Sequence, residues 1–359
     1  MKDLTSDRPR IWSDRRGFEV LGTGTALPGK PIETEDLLER LAQRFGVDVR
    51  RRGHAVARRL GIRTRHISRP LEARFEGTEP GRGNAELAAA AVREALRDAG
   101  MSVAQLSYLI AHTATPAELV PPNVVRAAAL LNFHGPLIEL RQACTGFANA
   151  LVLARGLVDA PGAGAIAIVG SETGSVYFDP PRAREDRGQL VNLVQMGDGA
   201  AALILGPPRD EGGCLSHVFF GQYGHDRRPA FRLVGGGSAA PVVGLPEFEH
   251  DVALIREHGL TLLEQAAATA RQMGIDAKSV NYVLPHQANG RMDVLVGSLL
   301  GISAASVFVN ADRVGNTGSA AVWLAFAQLR CRLARGQSVL ALGAEATGYM
   351  VGGFHYVHG

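Results

Sequence analysis

The sequence predicts an α/β protein built from two homologous halves, stacked as a five-layered α/β/α/β/α sandwich. Two observations carry this: the same strings recur once at one long offset, and apolar strand-like runs alternate with Ala-rich amphipathic segments. A third narrows the class, since 46% hydrophobic and 20% charged residues describe an ordinary globular chain.

The repeat is read directly. Ser107-Tyr-Leu-Ile-Ala-His112-Thr-Ala-Thr115 parallels Asn281-Tyr-Val-Leu-Pro-His286-Gln-Ala-Asn289. Cys144-Thr-Gly-Phe-Ala148 parallels Asn316-Thr-Gly-Ser-Ala320, and Ile168-Val-Gly170-Ser-Glu172 parallels Ala341-Leu-Gly343-Ala-Glu345. The offsets (281 less 107, 316 less 144, 343 less 170) are 174, 172 and 173 residues. Three matches in one order at nearly one offset mark a tandem duplication.

Each copy reads alike. An Ala-rich amphipathic helix, over 84–99 and again over 263–273, leads through a glycine turn into an apolar strand. That strand ends at His112 or His286. In the first copy 137–140 reads as a strand and 145–158 as a helix opening just after Cys144. Strands alternating with helices imply mostly parallel sheets. The halves divide at Gly206-Pro207-Pro208, after the apolar run Ala200 to Leu205, giving 1–206 and 207–359. The polar, Pro-rich stretch from Asp179 to Gly188 is expected to be a loop.

Several classes are excluded by composition. No run of eighteen uncharged apolar residues is present, so no membrane span is expected. The opening residues are basic with no apolar stretch behind them, which argues against a signal peptide. Cys144, Cys214 and Cys331 are odd in number and far apart, which suits a reducing cytoplasm and no disulfide framework. No Cys/His cluster predicts a structural metal. The net charge is only +3, yet Arg44, Arg50, Arg51, Arg52, Arg58, Arg59, Arg63 and Arg65 crowd one stretch. They read either as a solvated face or as an anion-binding face for carrier phosphates. Without interleaved aromatics or a nucleic-acid motif, nucleic acid is not expected.

Duplication brings equivalent turns together, so the informative positions are those where the copies differ. Cys144 stands in one copy and Asn316 in the other, each followed by Thr-Gly at the opening of a helix. A cysteine there meets the positive end of the helix dipole, which favours thiolate. The alternative is a small buried residue, as free cysteines often are. His286, after Pro285 at a strand end, lies on the lip of the sheet where α/β folds bind ligands. A merely structural histidine at a strand end fits its copy, His112, better. Asn316 could simply cap its helix.

Together these strings resemble the β-ketoacyl-(acyl carrier protein) synthase III family of the thiolase superfamily. The resemblance rests on Ala143-Cys144-Thr-Gly-Phe147, Pro285-His286-Gln-Ala-Asn289 and Gly315-Asn316-Thr-Gly, with 30 residues between His286 and Asn316 (316 less 286). Leu60 to His66 and Met196-Gly-Asp-Gly-Ala200 match further. The resemblance implies a thiolase-like sandwich, Cys144, His286 and Asn316 as the catalytic set, and coenzyme A or phosphopantetheine thioesters as substrates without a resident cofactor. It implies an oxyanion hole from the backbone of Cys144, Thr347 and Gly348, and substrate contacts from Arg59, Arg187, Asn289, Arg291 and Val120. It also implies acyl-CoA or acyl carrier protein as partners, a cytoplasmic location and a homodimer, with Val120 reaching the partner's pocket.

The pattern departs from housekeeping members of that family. Ala55 stands where they carry a tryptophan that stacks on adenine, four residues before Arg59. Their glycine-rich turn reads Glu345-Ala-Thr347-Gly348 here. These differences suggest a specialised condensing enzyme of secondary metabolism. Some relatives instead pass the acyl group to an alcohol or amine; they often alter the Asn position, and Asn316 is intact, which favours condensation. A degradative thiolase would need a second cysteine in the turn 343–348. A serine hydrolase would want Gly-x-Ser-x-Gly, but Gly170-Ser-Glu-Thr-Gly174 has its serine one place early. Gly22-Thr-Gly24 is only a fragment of a dinucleotide fingerprint. A scaffold of the same fold would not need all three of Cys, His and Asn.

Overall fold

The computed structural model describes residues 10–70, 81–160, 164–209, 212–224, 227–237 and 246–359. The chain begins with β1 (Trp12–Asp14), β2 (Phe18–Ala26), β3 (Ile32–Glu33), α1 (Thr34–Phe45), α2 (Arg50–Leu60) and β4 (Thr64–Arg65). The first half continues through α3 (Asn84–Asp98), β5 (Leu106–His112), α4 (Asn123–Leu131), β6 (Leu137–Leu140) and α5 (Gly146–Val158). It closes with β7 (Ala165–Glu172), α6 (Arg187–Gln195) and β8 (Gly199–Gly206). The second half opens with β9 (Cys214–Gln222), β10 (Phe231–Val234), β11 (Glu247–His250), α7 (Val252–Gln272) and β12 (Tyr282–Pro285). It ends with α8 (Met292–Leu300), α9 (Ala311–Val314), α10 (Ala321–Arg330), β13 (Ser338–Glu345) and β14 (Met350–Val357).

Ten strands follow one path, β12-β13-β14-β9-β2-β8-β7-β5-β6, with β1 on β9, while β3–β4 and β10–β11 pair separately. About the β9–β2 junction, β14, β13 and β12 mirror β8, β7 and β5. That junction is thin: only Phe18↔Leu215 and Glu19↔Cys214 pair across it. The pairs β5–β6, β5–β7 and β12–β13 are parallel, while those nearer the centre are antiparallel. Mostly parallel sheets were expected, so this is a correction. Parallel pairing needs a long crossover, whereas β13 and β14 are joined by a tight turn and the halves meet through the antiparallel pair β2–β9.

Five layers follow from which faces are apolar. Leu87, Ala91, Val92 and Ala95 of α3 pack on Leu109, Val169 and Ala202 at one outer face. Leu262, Ala266 and Val296, from α7 and α8, cover Leu340 and Val351 at the other. Between the sheets lie α5 and α10. From Ala321 to Ala327 every residue of α10 is buried, the pattern of a helix that is apolar all round. Phe147 of α5 meets Trp323 edge-on at 5.5 Å, and Phe354 stacks on Trp323 at 5.6 Å. Gly22 and Gly24 have a packing role: a Cβ at either would stand 2.3 Å from a backbone oxygen of α3.

α1, α2 and α6 form a satellite layer around Leu37, Leu38, Leu41, Ala57 and Leu193. Arg65 is fully buried there and donates to the carbonyls of Ile32 and Val194 and to Thr34 Oγ1. Two element boundaries differ from expectation. Within 179–188 a single helical turn forms at Pro181–Arg184, and Asp186 caps α6 by accepting from the N–H groups of Gly188 and Gln189. α7 begins at Val252 rather than 263, because Asp251 caps it through the N–H groups of Ala253 and Leu254.

Candidate active site

Cys144 lies in the turn between β6 and α5, one residue before the helix cap Thr145. His286 follows β12 directly, and its N–H donates to Leu342 O of β13 at 2.8 Å. Asn316 precedes α10; its N–H donates to Gln195 O at 2.8 Å and its carbonyl accepts from Gly197 N–H at 3.0 Å. The chain can pass α6 so closely only because residue 315 is glycine. Its φ is 74°, and a Cβ there would stand 2.9 Å from Gly197 N. Asn316 Oδ1 accepts from Gly318 N–H at 3.0 Å, so the amide nitrogen is the atom left to donate. One end of the side chain caps the following turn, and the other is free to donate.

Cys144, His286 and Asn316 line a single cavity of about 720 Å³. Burial depresses the His286 pKa to about 4, so its imidazole is neutral near pH 7. Cys144 behaves contrary to expectation. Burial, then the charges of Glu345 and Glu172, push its thiol well above the ordinary value. Burial is the larger cause, and the first N–H of the helix opening is already hydrogen-bonded. Glu345 Oε2 accepts from Thr145 N–H at 2.8 Å and from Thr145 Oγ1 at 2.7 Å.

His112, the first-half copy of His286, is fully buried and accepts the Trp323 indole N–H. It takes no part in the cavity.

A model of the family "3-Oxoacyl-[acyl-carrier-protein (ACP)] synthase III" matches residues 138–224, and the C-terminal model of the same family matches residues 270–356. The β-ketoacyl-[acyl-carrier-protein] synthase III of Rhodospirillum rubrum is 30% identical over 348 residues, covering 93% of this chain and 96% of its own length. The chain belongs to the 3-oxoacyl-[acyl-carrier-protein] synthase III family. The synthase III of Bordetella petrii is 28% identical over 330 residues, covering 90% of this chain and 93% of its own. Among solved structures, AbyA1, a tetronic acid condensing enzyme, superposes with a TM-score of 0.83 at 27% identity, covering 95% of this chain and all of its own. The synthase III of Pseudomonas aeruginosa gives 0.77 at 26% identity, covering 96% and 98%. The chain is therefore an enzyme of the acyl-condensing kind.

In this synthase Arg59, Arg187, Asn289 and Arg291 all line the same cavity as Cys144. Thr347 lines it too, together with Ala344 and Ala346, whereas Gly348 falls outside. Val120 lies on the loop between β5 and α4, 84% exposed and outside the chain's own cavity. The arginine-rich stretch divides: Arg65 is structural, Arg50 pairs with Asp48, Arg63 pairs with Asp312, and Arg59 faces the cavity.

Sequence reasoning missed the apolar half of the cavity. Phe231 and Phe248 of the β10–β11 hairpin line it, with Val252, Ile255 and Leu262 of α7. Helical spacing of those three apolar residues behind Asp251 was the available signal. It also missed Glu172 and Glu345, which line the same cavity as Cys144.

Proposed function

We propose that this synthase loads an acyl group from coenzyme A or acyl carrier protein onto Cys144 and condenses it with a malonyl thioester. The observation that carries the reading is the meeting of Cys144, neutral His286 and Asn316 in one cavity whose far wall is apolar.

In the first half-reaction the Cys144 sulfur attacks the thioester carbonyl; the new S–C bond forms as the carrier S–C bond breaks, and the thiol proton leaves with the carrier thiol. Backbone N–H groups at Cys144 and in the turn around Thr347 and Gly348 receive the tetrahedral oxyanion. In the second, the malonyl group loses carbon dioxide, and the enolate oxygen takes hydrogen bonds from His286 Nε2–H and the Asn316 amide. The enolate carbon then attacks the acyl-cysteine, forming the C–C bond and releasing the thiol. Arg59, Arg187, Asn289 and Arg291 serve the carrier's phosphates and amides near the mouth. The apolar wall of Phe231, Phe248 and Ile255 receives the acyl chain. Ala55 and the turn 345–348, which depart from housekeeping members, support a specialised pathway of secondary metabolism in the cytoplasm.

The working unit is a homodimer in this reading. Leu119, Val120, Val125, Leu130 and Ile138 are exposed apolar residues on the loop before α4, on α4 and on the edge strand β6. An edge strand beside exposed apolar side chains is a natural pairing surface.

Intact-mass and peptide mass spectrometry after incubation with a panel of acyl-CoAs and acyl carrier proteins tests the reading. One acyl mass on the Cys144 peptide, absent in Cys144→Ala, is expected. Turnover with an alcohol or amine acceptor and no carbon dioxide release would replace condensation with simple acyl transfer.

A further inference from the structure

The hairpin wall of the cavity is apolar but for one ring. His250 ends β11 and lines the cavity beside Phe231, Phe248, Val252 and Ile255. Strand alternation puts Phe248 and His250 on one face of β11, and α6 holds both. Gln189 Nε2 donates to Phe248 O at 2.9 Å, and Asn192 Oδ1, three residues on, meets His250 Nδ1 at 2.6 Å. Gln189 and Asn192 are themselves buried. Phe231 stands edge-on to the imidazole at 5.2 Å. Gripped by an amide and packed against a phenyl ring, the imidazole has one orientation.

The contact with Asn192 decides what that ring offers. An amide oxygen can only accept, and the short 2.6 Å contact suits N–H···O, so Nδ1 carries the proton. In a neutral imidazole Nε2 is then a bare lone pair. Burial depresses the His250 pKa to about 4, against the opposing charges of Asp251 and Asp186, so the ring is neutral near pH 7. Among the described residues Nε2 has no hydrogen-bond partner, and it is not sealed in the interior either. It is an acceptor set in an apolar wall.

We propose that His250 is a specificity residue: its Nε2 accepts a hydrogen bond from a hydroxyl on the acyl chain, so the synthase favours a hydroxylated acyl thioester over the plain chain. The proposal rests on the reading that a thioester acylates Cys144 and that its chain lies along this wall. A plain chain drives water from Nε2 and leaves it unpaired, which costs more than a new bond would gain. A hydroxyl placed beside it recovers that loss. Glu172, Glu345, Asn289 and Asn316 share the cavity, but their oxygens are engaged. Glu172 accepts from Thr115 and Ser319, and Glu345 from Thr145 and Thr347. Asn289 Oδ1 accepts from Arg291 N–H, and Asn316 Oδ1 from Gly318 N–H.

The test compares octanoyl-CoA with its isomers hydroxylated at successive carbons, by the rate at which each adds its mass to the Cys144 peptide. One hydroxylated isomer should load with kcat/KM about tenfold above the plain chain. In His250→Phe that ratio should fall to about one. His250→Gln, which can offer Oε1 in place of Nε2, should restore part of it. Wild type that loads the plain chain as fast as every hydroxylated isomer overturns the proposal and leaves acylation of Cys144 standing. A preference that survives in folded His250→Phe overturns it equally. If the variants fail to fold, nitrogen NMR of histidine-labelled wild type decides in their place. Nδ1 of His250 should be protonated and Nε2 bare near pH 7, and a proton on Nε2 overturns the proposal. A Cys144 that takes no acyl group from any thioester sinks the functional reading, and this proposal with it.

Discussion

Trp323 of the second half donates its indole N–H to Nε2 of His112 in the first, at 3.0 Å. This bond distinguishes His112 from His286, its counterpart in the repeated strings. His112 is sealed between the sheets, with its pKa depressed by burial to about 3, while His286 opens on the cavity. Trp323→Phe keeps an aromatic ring beside Phe147 and Phe354 but leaves a buried ring nitrogen unpaired. It should cost about 1–3 kcal/mol of stability in urea unfolding, with acyl loading of Cys144 unchanged. Equal stability would show that the bond contributes little.

Asn316→Ala separates the half-reactions. Loss of one oxyanion donor should slow carbon dioxide release from a malonyl thioester by about 10²–10³-fold, while the mass added to Cys144 stays the same. Because Oδ1 also binds Gly318 N–H, unfolding should reveal a penalty of about 1 kcal/mol. A variant that decarboxylates at the wild-type rate would remove Asn316 from the chemistry.

Gly259 offers a way to resize the cavity without strain. It lies on α7 and lines the cavity, and the nearest atom to an added Cβ is Ile255 Cγ2 at 4.0 Å. Gly259→Ala should raise stability by about 0.5–1 kcal/mol through helix propensity. Gly259→Leu should fold equally well yet raise KM for long acyl donors while sparing short ones. Unchanged chain-length preference would place the acyl group elsewhere.

Acid sensitivity follows from burial. Seven histidines (His66, His112, His217, His250, His286, His355 and His358) have depressed pKa values in the described structure. Their folded values lie below the unfolded one, so the stability they carry is present above about pH 6.5 and drains away toward pH 4. Glu139, Glu172 and Asp198 are raised by burial and act in the opposite sense. The histidines outnumber them, so the thermal midpoint should fall between pH 6.5 and 4. A flat profile over that window would contradict this.

Much of this was legible in the chain because duplication prints its own key. The copied strings located β5 and β12, α5 and α10, and the turns holding Cys144, His286 and Asn316, since each is a local signal of strand end, small residues and helix opening. The state of the thiol was not legible. Thr145 and Glu345 are 200 residues apart, and helix-dipole reasoning at Cys144 cannot see an acid arriving from the other half. The apolar wall was hidden for a different reason. Phe231 and Phe248 belong to a two-stranded hairpin outside the repeat, so no copy pointed to it. The role expected of Val120 belongs to a second copy of the chain, so its exposed position on the loop before α4 is all that one chain displays.

Glu345 of the second half accepts from Thr145 of the first, and Glu172 of the first accepts from Ser319 of the second. This crossing bears on how the molecule comes apart. Each half supplies the acid that satisfies the other's helix opening, and α5 and α10, one from each half, share one apolar core. Severed after residue 206, the first fragment would lose the Ser319 donors to Glu172, the second would lose the Thr145 donors to Glu345, and each would carry a helix with an uncovered apolar flank. Such a fragment has no stable resting form of its own. The two halves thus form a single cooperative unit, in which loosening of the second half is felt at the turn that holds Cys144 in the first.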